Sequence, residues 1–375
     1  MKWILPVILI IVILLGVPGV LMVTHGNLFP PEKEPYHITA LIDAINVDDS
    51  FTVQLLQGTQ QAQYQAEKDG YKVEQTVISY NSPSWLEDFE KRNAVSNLVI
   101  SLSSDAADIL LAAARANPDK SYVTIDFPYS DEELPPNLEN IVFRSNEPSC
   151  IAGYIAGALT ETGKIGFLAG MDLPSIDSFY YGFRTGVDYA ALDWEKNVEV
   201  VRKTANTFND ADVGYELTKE MYQEGCDICF MVAGATGAGG MKAAEEMKKY
   251  VIGVDSDQGY LAPGFVLFSV VKEIKSVVAD TILNHIKYGD LGTGGTVSLG
   301  YAENAVGIVS YLSPVVTPEL EEYAGMTEDL IRFEFLTVPD DEESYNEEDI
   351  EDVRKYIYNL PDRNPNWSIT FTDPN

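Results

Sequence analysis

Positive charge is scarce in this sequence. Lysine and arginine total 25 against 58 aspartates and glutamates, a formal net charge of −33. A surface of that sign repels nucleic acid and anionic lipid at long range, so neither is an expected partner. It also disfavours a phosphorylated ligand unless basic side chains line the site. Cysteine is sparse too, with only Cys150, Cys226 and Cys229, which excludes a disulfide framework. Cys226 and Cys229 form a CxxC, but it reads as the start of a buried strand, where residues three apart point to opposite faces. The two sulfurs are therefore expected to diverge, which argues against redox chemistry or half a zinc site. His25, His37 and His285 are scattered and make no metal cluster, so neither metal nor cofactor is expected. Gly-x-Ser-x-Gly, HExxH and a Cys/His pair are all missing, and no enzyme is expected on those grounds.

Long apolar runs are few, and the exception is informative. Residues 4–23 are almost wholly apolar, interrupted by Pro6 and Pro18. About 20 such residues span a bilayer core. Lys2 ahead of them would hold the amino terminus in the cytoplasm and send the rest outward. A cleaved signal peptide is the rival reading, but the run has the length of an anchor and no Ala-x-Ala-like site follows it. No cysteine lies near its end for lipid attachment. Residues 1–25 are thus read as a single-pass transmembrane anchor in the cell membrane. Residues 26–35, with three prolines, read as a short extended tether.

What is plentiful is apolar patterning, 46% of the chain, enough for a large core. Strands are expected over residues 38–43, 72–78, 98–101, 122–126, 164–169, 198–201, 228–232, 251–255 and 266–269. Helical patterns fall between them, among them residues 51–68, 105–116, 148–161 and 175–192. Short apolar strands spaced by amphipathic helices imply an α/β fold with doubly wound parallel sheets. An internal echo is visible. Leu98-Val-Ile-Ser101, a polar loop at residues 103–105 and a helix lead to Tyr122-Val-Thr-Ile-Asp126. Ile228-Cys-Phe-Met-Val232, a loop at residues 234–240 and a helix lead to Val251-Ile-Gly-Val-Asp255. Any βαβ unit would read this way, but so would two similar lobes. Ligands of parallel sheets sit beyond the carboxyl ends of strands. Asp126 and Asp255 hold such ends and could grip one ligand from both sides.

Two loops invite other chemistry. The aspartate-rich stretch 43–49 is similar to the Asp-x-Asp-Pro-Gly-x-Asp-Asp loop of nucleoside hydrolases. Aligning Asp48 and Asp49 with its final pair puts Ile42 and Ala44 where a divalent cation needs carboxylates, so the metal-activated water would be lacking. Gly234-Ala-Thr-Gly-Ala-Gly-Gly240 could cradle a pyrophosphate, but its spacing is not GxGxxG, and close backbone approach to a neutral polar ligand is preferred. Phe51 and Phe208 lie beside polar loop residues and could be core or could sandwich a flat ligand. The acidic run 339–351 reads as a solvated loop and helix start, 349–360 as a helix and 361–375 as an irregular tail.

Taken together, Asp49-Ser-Phe51, Thr162-Gly-Lys-Ile-Gly-Phe-Leu-Ala-Gly170, Ser178-Phe-Tyr-Tyr-Gly-Phe-Arg-Thr-Gly186, Thr207-Phe-Asn-Asp210, Ile252-Gly-Val-Asp-Ser-Asp-Gln258 and Leu267-Phe-Ser-Val-Val-Lys272 resemble the basic membrane protein (Bmp/PnrA-like) family of ABC transporter substrate-binding proteins. The resemblance runs in order over residues 38–308. It implies a type I periplasmic-binding-protein fold, with two doubly wound parallel-sheet lobes and a hinge. It also implies a purine nucleoside or similar small neutral ligand in the cleft, with an ABC permease and ATPase as partners. Phe51 and Phe208 would stack on the base, beside Ser50 and Thr52. Asp126 would bond the base edge, Gly237 would offer backbone, Asp255 would accept from ribose hydroxyls and Lys272 would donate to them. The family usually carries asparagine where Thr52 stands, and threonine cannot make a two-point amide contact to a purine. One lobe is expected over residues 36–144 with 256–300, the other over 145–255 with 301–375. A membrane-anchored sensor or regulatory surface protein would need the same cleft.

Overall fold

The computed structural model describes residues 34–42, 50–79, 82–102, 106–127, 129, 134–289, 294–309 and 315–346. The anchor read at residues 1–25, nearly all of the tether, the aspartate-rich stretch 43–49, the loop 103–105, the helix read at 349–360 and the tail lie outside them. Among the described residues no helix is long and apolar enough to cross a membrane.

The first half of the chain alternates β1 (Tyr36–Ile42), α1 (Ser50–Lys68), β2 (Val73–Ser79), α2 (Trp85–Asn93), β3 (Leu98–Ser101), α3 (Ala107–Ala116), β4 (Ser121–Ile125) and β5 (Leu138–Phe143). The second half repeats the pattern with α4 (Asn146–Leu159), β6 (Lys164–Ala169), α5 (Pro174–Asp193), β7 (Glu199–Thr204), α6 (Ala211–Gln223), β8 (Ile228–Val232), α7 (Thr236–Met247), β9 (Tyr250–Asp255) and β10 (Val266–Lys272). The chain then crosses twice more, through α8 (Ile274–Tyr288), β11 (Gly295–Leu299), β12 (Val306–Val309) and α9 (Pro318–Arg332).

These strands form two six-stranded sheets, ordered β11-β5-β4-β3-β1-β2 and β12-β10-β9-β8-β6-β7. Every pair is parallel except β10 with β12. β3, β8 and β10 are buried along their whole length, as strands covered on both faces must be, and their sequences are correspondingly near-continuous apolar runs. Strand for strand the sheets match: β1 corresponds to β6, β2 to β7, β3 to β8, β4 to β9 and β5 to β10. The winding reverses beside β1 in one sheet and beside β6 in the other, the positions at which open parallel sheets leave a crevice.

One expected boundary changes. The segment 256–300, expected in the first lobe, divides between the two: β10 pairs with β9, Val270 opposite Val254, and belongs to the second sheet. A run as apolar as Val266-Leu-Phe-Ser-Val-Val271 needs a neighbouring strand and cover on both faces, and β9 supplies the first. Only α8, which packs on α1, and β11 return to the first lobe. The crossing therefore falls at residues 272–274 rather than just after Asp255.

In the second lobe all of α4 is buried, and it lies directly on α5. A Cβ on Gly153 would fall 1.9 Å from the Phe183 carbonyl oxygen, and one on Gly186 would fall 1.8 Å from that of Cys150. The two helices can approach this closely only because each presents glycine to the other's backbone.

Candidate functional site

Two strand ends define the site. Asp126 follows β4 with a left-handed backbone, φ +55°, a conformation that L-residues other than glycine rarely adopt. The surrounding bonds enforce it. The Asp126 N–H donates to the Ile141 carbonyl at 2.8 Å. The buried Asn140 amide accepts from the Phe127 N–H at 3.3 Å and donates to the Phe127 carbonyl at 3.1 Å. The Phe143 N–H donates to Asp126 Oδ1 at 3.1 Å, which leaves Oδ2 directed elsewhere. Asp255 ends β9 with φ +64°. Here Gln258 Oε1 accepts from the Val254 N–H at 2.9 Å, and the Gln258 N–H donates to Ser269 Oγ at 3.0 Å. Backbone outliers held by this many contacts commonly mark functional positions.

Lys272, the last residue of β10, joins the two. Its Nζ lies 2.6 Å from Asp126 Oδ2 and 3.9 Å from Asp255 Oδ1, so one ammonium links carboxylates carried by different sheets. The ammonium is also ringed by aromatics, with the ring centroids of Phe179 at 4.8 Å, Phe51 at 5.3 Å and Phe143 at 5.8 Å. Burial strips the ammonium of water and by itself lowers its pKa. The Asp126 and Asp255 carboxylates outweigh this and hold it above the ordinary lysine range. Two carboxylates and one ammonium leave this centre with one net negative charge, which repels an anionic ligand and suits donors such as hydroxyls.

Of the residues singled out from sequence, the structure thus brings Asp126, Asp255, Lys272 and Phe51 together. Ser50, Phe51 and Thr52 open α1, beyond the carboxyl end of β1, and Thr52 is buried. Phe208 lies between β7 and α6, half-buried, with its ring against Gly170: a Cβ there would come 2.3 Å from Phe208 Cε1. Its loop is tied down by the motif around it. Thr236 donates its N–H to the Phe208 carbonyl at 3.0 Å, and Asp210 caps α6 by accepting from the Asp212 and Val213 N–H groups at 3.1 Å. Gly237, expected to offer backbone to a ligand, is the second residue of α7. Its N–H donates to the Gly234 carbonyl at 3.0 Å, and a Cβ there would meet Met231 at 3.3 Å, so the glycine serves the packing of α7 on β8 and its N–H is already engaged.

Gln54 has no signal in the sequence beyond being an amide on an expected helix, and Asn140 lies outside the expected strands. Gln54 Nε2 donates to the Asp255 carbonyl at 2.9 Å, reaching from α1 to the end of β9.

The CxxC also departs from expectation. Cys226 lies in the turn after Gly225, φ +106°, ahead of β8 rather than on it. Its thiol is drawn below the usual range chiefly by a side-chain hydrogen bond with Cys229, whose own thiol burial pushes well up. The two thiols therefore meet instead of diverging, and both are free and buried. Among the described residues no three His, Cys, Asp or Glu side chains converge as a metal-ligand set.

Comparison with known proteins agrees with this architecture. The model of the family described as ABC transporter substrate-binding protein PnrA-like matches residues 36–342. The chain is 33% identical over 312 residues to Basic membrane protein A of Borreliella burgdorferi, covering 82% of this chain and 89% of that protein. It is 32% identical over 319 residues to Basic membrane protein A1 of Borrelia garinii subsp. bavariensis, covering 84% and 91%. An ABC transporter system solute-binding protein from Aeropyrum pernix K1 shares the two-lobed α/β fold with a TM-score of 0.71 at 22% identity, over 86% of this chain and 98% of that one. Sequence and fold agree, and this chain belongs to the Bmp family of PnrA-like ABC transporter substrate-binding proteins.

Proposed function

We propose that this protein binds a purine nucleoside between its lobes and delivers it to an ABC permease and its ATPase. The observation that carries the reading is the Asp126–Lys272–Asp255 line, with 2.6 Å and 3.9 Å separations. It is a polar centre shared by both sheets, walled by aromatic rings and slightly anionic. Vicinal ribose hydroxyls donate to carboxylates in charge-assisted bonds, and Lys272 donates to their oxygens. Phe51 and Phe208 offer faces for the base, each stack contributing on the order of 1–3 kcal/mol. Asp126 serves the base edge. Thr52 is a poor substitute for an amide there, so the base is selected less by that residue than by shape. A ligand that contacts both lobes favours their closed arrangement, the signal a permease reads. The apolar segment 1–25 holds the binding domain at the outer face of the cell membrane.

The test is thermal unfolding of the full chain with inosine, guanosine and adenosine, each beside its 5′-monophosphate. A ligand at 100 times its Kd stabilises by about 2.7 kcal/mol. Nucleosides should raise the melting temperature and monophosphates should not. Asp255→Ala should abolish most of the shift. No response to any nucleoside at millimolar concentration would sink the assignment.

A further inference from the structure

We infer that Gln54 is a positioning residue of the cleft: its side-chain amide clasps the two lobes beside the ligand site and sets how readily they part. Gln54 lies on α1, one turn after Phe51, and moves with the first lobe. Its Nε2 donates at 2.9 Å to the main-chain carbonyl of Asp255, at the end of a second-lobe strand. Its Oε1 faces the Lys275 N–H at 3.5 Å, in the first turn of α8. One amide thus touches the last residue of β9 and the segment just past the 272–274 crossing.

The two sides of this clasp differ in stiffness. α1 and α8 are packed so tightly that a Cβ on Gly58 would fall 2.7 Å from the Lys275 carbonyl oxygen, so these helices move as one body. Asp255 belongs to the other sheet. Parting the lobes therefore leaves the α8 side of the amide in place and stretches its bond to the Asp255 carbonyl. That bond joins protein groups alone and needs no ligand atom. It also bears on the main chain of the residue whose side chain faces Lys272, so loosening it frees both the cleft and the carboxylate's position. The Lys272–Asp126 link spans the sheets as well, but those side chains are assigned to the ligand. Gln54 can be changed without touching them.

The experiment uses the full chain with spin labels at exposed Tyr64 in the first lobe and Glu216 in the second. Interlobe distances are measured by pulsed electron resonance without ligand, and inosine association and release by stopped flow. Gln54→Met keeps the reach and loses the donor; Gln54→Glu loses the donor and sets a negative charge against a carbonyl oxygen. Both should lengthen the ligand-free distance distribution. Both should also speed inosine release about tenfold while changing association less than about twofold, the loss of one hydrogen bond that acts on the closed state. Distributions that coincide with the wild type in both variants overturn the inference. So does slower association with unchanged release and distance, which would make Gln54 an ordinary site contact. The release measurement rests on the nucleoside reading; if the unsubstituted chain fails to bind inosine, that reading fails alone and the ligand-free distances still decide the role of Gln54.

Discussion

In each lobe a central strand runs into an aspartate with a left-handed backbone, and in each an amide side chain from outside that strand holds the turn. β4 leads to Asp126, braced by Asn140; β9 leads to Asp255, braced by Gln258. The neighbouring strand is in the same register on both sides, Ile125 opposite Ile141 and Val254 opposite Val270. Two residues further along, the lobes diverge: the first has Phe143 and the second has Lys272. The backbone plan was repeated, but the cation was supplied once, and it stands 5.8 Å from the phenylalanine ring that occupies its counterpart's place. A cleft needs two similar walls. A charged centre shared between them needs only one ammonium, and a second would repel the first.

The strongest way to break this comparison is to make the second lobe resemble the first. Lys272→Met removes the cation and leaves Asp126 and Asp255 buried without it, their side chains only 10% and 15% exposed. Removing one partner of a buried ion pair costs about 3–5 kcal/mol, and denaturant unfolding should register that loss. Adding Asp126→Asn should recover part of it; a double variant no more stable than Lys272→Met would uncouple the pair. The pH dependence has a definite sign. The folded protein holds the Lys272 proton more tightly than the unfolded chain. Its contribution is therefore complete below the ordinary lysine pKa, about 10.4, and fades as pH rises through the higher folded value. Wild type should lose its advantage over Lys272→Met along that alkaline limb.

A smaller effect separates the two braces. Asn140 is buried, and its amide serves both the N–H and the carbonyl of Phe127 as well as the Thr124 hydroxyl. Asn140→Ala leaves the Phe127 N–H unsatisfied in the interior and takes one partner each from the Phe127 carbonyl, which keeps the Tyr129 N–H at 3.0 Å, and from the Thr124 hydroxyl, which keeps the Glu139 carbonyl at 3.4 Å, at a cost of about 2 kcal/mol. Gln258→Ala releases only the Val254 N–H, because the Gln258 main-chain bond to Ser269 survives, and about 1 kcal/mol is expected. Equal losses would mean that the two aspartates are held by their strands rather than by these amides.

Much of this plan can be read from residues alone, because buried parallel strands announce themselves as apolar runs and both of these end in aspartate. What escaped the reading has physical reasons. β5, Leu-Glu-Asn-Ile-Val-Phe, carries Asn140 and half-buried Glu139, so its alternation is broken by the brace itself. β11 is a sheet edge with an exposed face and little apolar content. The 272–274 crossing follows from strand pairing, which local sequence does not encode. Gln54 is one glutamine among several on α1, and only the arrival of Asp255 from another sheet distinguishes it. The thiols depart from the alternation of a strand because β8 begins at Ile228, which leaves Cys226 in the segment after left-handed Gly225 and only Cys229 on the strand.

The finest difference between the lobes concerns the aromatic faces. Phe51 stands at a helix start beside the ammonium, whereas Phe208 is supported from below by Gly170, which has no side chain to lift it. Gly170→Ala tests that support. The backbone at Gly170 is not left-handed, so alanine meets no conformational strain there. The obstacles are the ring, whose Cε1 and Cδ1 would lie 2.3 and 2.4 Å from the new methyl, and the Ala233 Cα at 3.2 Å. The ring, at the end of a rotatable side chain, can turn away, and the Ala233 contact needs only a small backbone shift, so the fold should lose about 1 kcal/mol. The displaced ring can no longer lie flat against a base, and stacking worth on the order of 1–3 kcal/mol is partly lost. Inosine affinity should fall roughly three- to tenfold, with the loss in release rather than association. Full affinity in Gly170→Ala would mean that Phe208 packs the loop and leaves the base to Phe51 alone.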